Sequence, residues 1–296
     1  MATPQAKPQA VSHMLWFFVF PCLIFMGWAG YRLFDALIRP KPQDVFTKLA
    51  EVRDAKSSGD RWQAAYGLSQ SLQKMIHDDE LAKLPEAKKT EIFEGLESLL
   101  KLHGSDARLK KYVLLTLGQM GDARGLDPLH QGWSDPDSET RFYSLWGSFE
   151  LFKKEPSLKQ SAHMSEVAGY LNDADPAIRK IVSAFLVQDA AYRDPVANLL
   201  TDQDQEVRWN AAVGLASVGD HRAKPVLREF FDLEKLRAVG AKTSKDLAQL
   251  VATGFEAAQK LNDPEILAAA EALKARVSQE TPEGRAVLKG LGAIGR

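Results

Sequence analysis

Residues 202–220 read DQDQEVRWNAAVGLASVGD, and this stretch decides the fold because its parts return along the chain. With Leu200 just before it, the stretch sets a large apolar residue, Asp202 two positions later, Asp204 at four and Arg208 at eight. The same phrase occurs as Leu171, Asp173, Asp175 and Arg179, and as Trp133, Asp135, Asp137 and Arg141. A looser copy has Leu102, Gly104, Asp106 and Lys110, so the second Asp recurs at 106, 137, 175 and 204. A period of about 30–40 residues signals stacked units, each too small to bury its apolar face alone.

Longer pieces also align. Leu117, Gly118, Gly121, Asp122, Pro128 and Leu129 fall opposite Leu215, Ala216, Gly219, Asp220, Pro225 and Leu227, with the proline one residue out of step. Upstream, Arg61, Trp62, Ala64, Ala65, Gly67 and Leu68 echo Arg208, Trp209, Ala211, Ala212, Gly214 and Leu215, which starts the stack near residue 44.

Each phrase opens a helix. Asp or Ser before the run can cap its free amides, and Pro136 and Pro176 suit a first turn, where the N–H that proline lacks would be unpaired. Apolar residues then recur at three and four, as in Val207, Ala211, Leu215 and Val218, or Ile178, Val182, Phe185 and Leu186. That spacing buries one stripe of a helix. The alanine pair lets neighbouring helices approach closely, and Gly121 or Gly219 supplies the left-handed residue that ends the run.

The pattern resembles the HEAT repeat family, in particular the short bacterial kind also called PBS-lyase-like repeats. The residues that carry the resemblance are Asp204, Val207, Arg208, Ala211, Ala212, Leu215, Gly219 and Asp220, with partial matches in the other copies over roughly 44–280. It implies an all-α fold, a right-handed α-solenoid of helix pairs at 44–280, closed by a C-terminal capping segment or tail at 281–296. Such repeats are a specific sign of fold and a weak sign of function.

The charged residues of the phrase read as structure. Asp and the Arg four positions later can pair within one helix, or the Asp can accept from a neighbouring repeat. A catalytic carboxylate is needed once or twice, whereas these recur in every unit, so they read as a ladder that sets the stacking register.

A different signal precedes the repeats. Met14 to Tyr31 contains no charge, and the apolar run continues through Leu33, Phe34, Ala36, Leu37 and Ile38, enough for the roughly 20 residues that cross a bilayer. The sequence predicts a transmembrane helix at 14–38, a disordered Pro- and Gln-rich tail at 1–13 and a linker at 39–43. Lys7 and His13 precede the span, against Arg32, Arg39, Lys41, Lys48, Arg53 and Lys56 after it, which places the repeats on the cytoplasmic side of a bacterial cell membrane. A cleaved signal peptide fits less well, because the leader is poorly basic and the core long and aromatic. Lipidation at Cys22 fits poorly as well, since Pro21 precedes it and apolar residues follow.

Residues 1–42 carry four basic groups against Asp35, so a chain of net charge −1 leaves −4 on the repeats. An acidic stack is a poor match for nucleic acid. The six histidines lie at 13, 77, 103, 130, 163 and 221, none followed by Glu, so the paired His-Glu ligands of HEAT-type di-iron hydroxylases are missing. His77, Asp78, Asp79 and Glu80 form a polar cluster between helical runs, which reads as a solvated loop. The sequence shows no catalytic constellation, metal site or cofactor site, and the reading is of a binding protein.

Aligning the second helices places Trp62, Phe142 and Trp209 directly after the basic residue, with Tyr66, Trp146 and Val213 four positions further on. Such a column could line the concave side of the solenoid and anchor a partner, or pack against each unit's first helix; both remain open from sequence. The expectation is a membrane-anchored scaffold or adaptor, touching the bilayer through 14–38 and binding a protein partner in a membrane complex such as a transporter. The alternative is a lyase-like or enzyme-associated protein acting on a bound prosthetic group or modified partner.

Overall fold

The computed structural model describes residues 45–238, 241 and 243–292. The tail expected at 1–13, the span at 14–38 and the linker at 39–43 lie outside the described residues, as do 293–296 of the C-terminal segment.

Helices follow one another in pairs. α1 (Val45–Asp54) packs on α2 (Ser58–His77); after the short α3 (Glu80–Lys83), α4 (Glu86–His103) packs on α5 (Ala107–Met120), and α6 (Leu126–Trp133) on α7 (Ser138–Lys154). α8 (Ser161–Gly169) then pairs with α9 (Pro176–Leu186), and α10 (Arg193–Asn198) with α11 (Gln205–Ser217). The chain closes through α12 (Lys224–Leu227), a 3-10 turn at Arg228–Phe231, α13 (Leu233–Ala238), α14 (Ser244–Leu261), α15 (Pro264–Arg276) and α16 (Pro282–Gly290). The second helices α2, α5, α7, α9, α11 and α14 touch in that order and form one continuous layer.

The cell-membrane localisation is corrected. Among the described residues no helix is long and apolar enough to cross a membrane. α14 shows why: it spans eighteen residues, yet opposite its buried stripe it carries an exposed face with Lys245, Asp246, Glu256 and Lys260. The cytoplasmic placement rested on the same span and goes with it.

The phrase starts its helices as expected. Asp106, Asp137, Asp175 and Asp204 each accept an amide hydrogen from two or three residues further on, and Ser57, Thr243 and Thr281 do the same with hydroxyls. Each such cap stabilises by about 1 kcal/mol. Pro176 occupies the first turn of α9. Pro136 does not lie in a first turn, because Asp137 is the cap and the proline precedes it. Gly121 and Gly219 end α5 and the turn after α11 at φ +74° and +75°, a conformation that costs other residues more.

Leu117, Leu129, Leu215 and Leu227 are completely buried, each contributing about 1.5–3 kcal/mol on leaving water. α5 and α7 approach so closely that a Cβ on Gly118 would sit 2.0 Å from the Gly147 carbonyl oxygen. The apolar interior forms one body from Val45 to Leu117 and a second from Trp133 to Leu291, with Leu114, Leu129 and Leu151 between them.

Candidate functional site

The two Asp residues of the phrase have separate duties. The second caps its own helix, whereas the first folds onto the amide two residues ahead, as Asp173 does with Asp175 N (2.8 Å) and Asp202 with Asp204 N (2.8 Å). The first Asp also receives the basic residue of the preceding unit. Arg141 Nε and Nη2 donate to Asp173 at 3.0 and 2.9 Å, Arg179 Nε and Nη2 donate to Asp202 at 2.9 and 2.8 Å, and Lys110 reaches Asp135. The ladder between repeats is therefore present, but the residue that accepts is the first Asp and not the capping one. Within its own unit each arginine turns Nη1 onto backbone carbonyls: Arg141 onto Asp135 O at 2.9 Å, Arg179 onto Asp173 O at 2.7 Å and Arg208 onto Asp202 O at 2.6 Å.

Burial would raise the Asp173 carboxyl, yet the Arg141 fork and the Asp175 amide outweigh it and hold Asp173 below the ordinary carboxylate range. Asp202 follows the same balance, with burial opposed by Arg179 and the Asp204 amide. Bidentate, charge-assisted bonds of this kind fix geometry as well as charge. These residues are occupied with holding neighbouring units in register.

What is left for a partner is the face of the second helices turned away from the first. Tyr66 is 43% exposed, accepts a hydrogen bond from Gln70 Nε2 at 2.6 Å and meets Tyr112 of the next unit edge-on, with centroids 5.6 Å apart. One unit further, Trp146 lies against Tyr143 in a stacked pair (6.1 Å) and against Phe142 at 5.8 Å. Lys111 joins the groups by reaching Glu139 and standing 6.0 Å over the Tyr143 ring. α2, α5 and α7 thus present one half-buried aromatic patch crossed by an ion pair.

The residues expected on this face divide. Trp62, Phe142 and Trp146 are half-buried, Phe142 packing against the interior, and Tyr66 is exposed. Val213 is half-buried. Trp209 departs from the column: it is 5% exposed, packs on Phe230 at 5.0 Å and donates its indole N–H to Glu229 at 3.0 Å. It belongs to the interior because the 3-10 turn Arg228–Phe231 closes over it. His77, Asp78, Asp79 and Glu80 are all exposed where the chain turns through Asp79 at φ +56°.

Sequence reading missed Tyr112, Tyr143 and a second ladder on the same face. Lys111 meets Glu139, and Lys180 meets Glu206 at 2.5 Å, so the lysine directly after the basic residue reaches the second helical residue of the following unit. The signal was available. The position after the basic residue reads Trp62, Lys111, Phe142, Lys180, Trp209, an alternation of aromatic and lysine.

Comparison with known proteins agrees with this geometry. Residues 164–243 match the family model described as HEAT repeats. Over that stretch the chain is similar to HEAT repeats. The X-ray structure of YibA from Escherichia coli is similar over 98% of this chain and 100% of that one, with a TM-score of 0.50 and 14% identity. At that identity the likeness speaks for the fold alone. No curated protein matches the chain.

Proposed function

We propose that this HEAT-like stack is a protein-binding scaffold whose docking surface is the outer face of α2, α5 and α7. The observation that carries the reading is the aromatic patch of Tyr66, Tyr112, Phe142, Tyr143 and Trp146, which bridges three units and keeps one large ring open to solvent. Tyrosine and tryptophan supply large contact area at low conformational cost and are the usual anchors of interfaces. HEAT repeats generally act through protein contacts, which supports the same reading.

The test is site-specific photo-crosslinking in cells with a photoreactive residue at Tyr66 or Tyr112, against a control at the exposed Lys101 of α4. A product at both tyrosine positions but not at Lys101 is expected. Equal labelling at all three positions, or none at the tyrosines, would remove the docking surface.

A further inference from the structure

The arginine ladder ties the starts of the second helices and ends at Ala241, which stands two residues before the cap Thr243, where earlier units carry Asp. The ring-bearing face of α2, α5 and α7 shows an imbalance of another kind, between hydrogen-bond donors and acceptors. The hydroxyls of Tyr112 and Tyr143 and the indole N–H of Trp146 have no hydrogen-bond partner among the described residues, and none of these three residues is fully buried. The Tyr66 hydroxyl accepts from Gln70 Nε2 at 2.6 Å, which leaves its own hydrogen to donate. Arg108, exposed one turn before Tyr112, adds donors and no acceptor.

The carboxylates of the same three helices are all engaged: Asp60 by Ser57 Oγ at 2.7 Å, Glu139 by Lys111, and Glu150 by Lys153 at 2.7 Å. Gln119 Oε1 is buried, and the exposed amides of Gln63 and Gln70 offer both kinds of group. A matching occupant therefore brings open carbonyl oxygens, few N–H groups and flat apolar surfaces. An α-helix spends its backbone carbonyls internally, and an ordinary extended strand brings an N–H with every carbonyl. A proline-rich segment has neither fault. Its polyproline II backbone makes no internal hydrogen bonds, each proline lacks the N–H, and the pyrrolidine rings dock on aromatic faces.

We propose that this face binds a proline-rich segment of a partner protein in the polyproline II conformation. The prolines lie on Tyr66, Tyr112, Tyr143 and Trp146, and their carbonyls accept from the free hydroxyls and the indole N–H. This ligand class rests on the docking surface assigned above to α2, α5 and α7.

Fluorescence anisotropy of fluorescein-labelled decaproline, titrated with the full chain, tests it against a Gly-Ser peptide of equal length and an alanine-rich helical peptide. Decaproline should bind at least about tenfold more tightly than either control. Tyr112→Phe and Tyr143→Phe keep the ring and remove the donor, and each should weaken decaproline by about two- to tenfold, the scale of one hydrogen bond. Tyr66→Ala should weaken it by about tenfold or more, and Lys101→Ala in α4 should leave it unchanged; circular dichroism spectra like that of the parent show that the variants are folded. No binding of decaproline at about millimolar protein, equal binding of a control peptide, or full affinity in both tyrosine-to-phenylalanine variants would overturn the ligand class. Crosslinks at Tyr66 and Tyr112 in cells would then leave the docking surface standing without this ligand, and their absence as well would remove both.

Discussion

The middle of the stack and its C-terminal end are joined by different chemistry. From α5 to α11 successive units are linked at the helix caps, most tightly where Arg179 and Asp202 meet with side chains only 6% and 9% exposed. Beyond Arg208 there is no such rung among the described residues. There the link moves to the first-helix side, where Lys224 contacts Asp263 at 3.1 Å and Glu265 at 2.5 Å, Arg228 also reaches Glu265, and His221 meets Asp263 at 3.2 Å. Asp263 itself is buried, but Glu265 and Arg228 are half open to water, His221 is exposed, and no guanidinium fork closes on either carboxylate. A desolvated fork specifies one register, while exposed ion pairs hold more loosely and are screened by salt. Similar helices can thus be assembled with unequal precision along one chain.

The sharpest way to break this comparison is to remove one arginine from each side of the boundary. Arg179→Ala leaves Asp202 buried without its partner and should cost about 3–5 kcal/mol in urea unfolding. Arg208→Ala removes hydrogen bonds at the end of the ladder and should cost only about 0.5–2 kcal/mol. Equal losses would show that the two joints are held alike.

A second contrast lies within the aromatic column. Trp209→Ala empties an interior site and should lower stability by about 3–5 kcal/mol, whereas Tyr66→Ala should stay within about 0.5 kcal/mol in the same melts. A large loss at Tyr66 would mean that its ring is structural.

Acid should separate the regions next. Asp173 and Asp202 are held below their ordinary value in the folded chain. Their contribution is complete above about pH 4, the unfolded aspartate value, and is lost as pH falls through the lower folded values. Asp202→Asn should therefore be destabilised at neutral pH and show a flatter decline in melting temperature from pH 5 to 2 than the parent chain. Parallel curves would remove the rung from the account of acid stability.

The smallest effect concerns salt. Glu265→Gln should cost less than about 1 kcal/mol at low salt, and the difference should fade near 1 M sodium chloride. Persistence of the whole difference at high salt would show that Glu265 is more desolvated than its exposure implies.

Much of the architecture was legible because it is written in local terms. A cap must precede its helix, a stripe must recur at three and four, and a left-handed helix end favours glycine, so Asp204, Leu215 and Gly219 could be placed from their neighbours in sequence. The partner of Arg179 was not legible in the same way, since the choice between the two Asp residues depends on how the next unit docks. Trp62 and Trp209 hold the same place in the phrase, yet one is half-buried and the other is covered by Phe230. Whether a ring is exposed is settled by what the following segment lays over it, and helical periodicity carries no record of that.

The rung also bears on how such a chain can change in length. Each middle unit carries its acceptor near its beginning and its donor a few residues later, so both halves of the joint travel together. A tandem copy of residues 173–201 would place a new Asp ahead of Arg179 and a second Arg ahead of Asp202, leaving no half-joint unmatched. A copy of 202–240 would also begin with an acceptor, but its Arg208 would again face Ala241 and end the run. Growth by duplication is therefore open along the whole run, which ends at that one boundary however many units precede it.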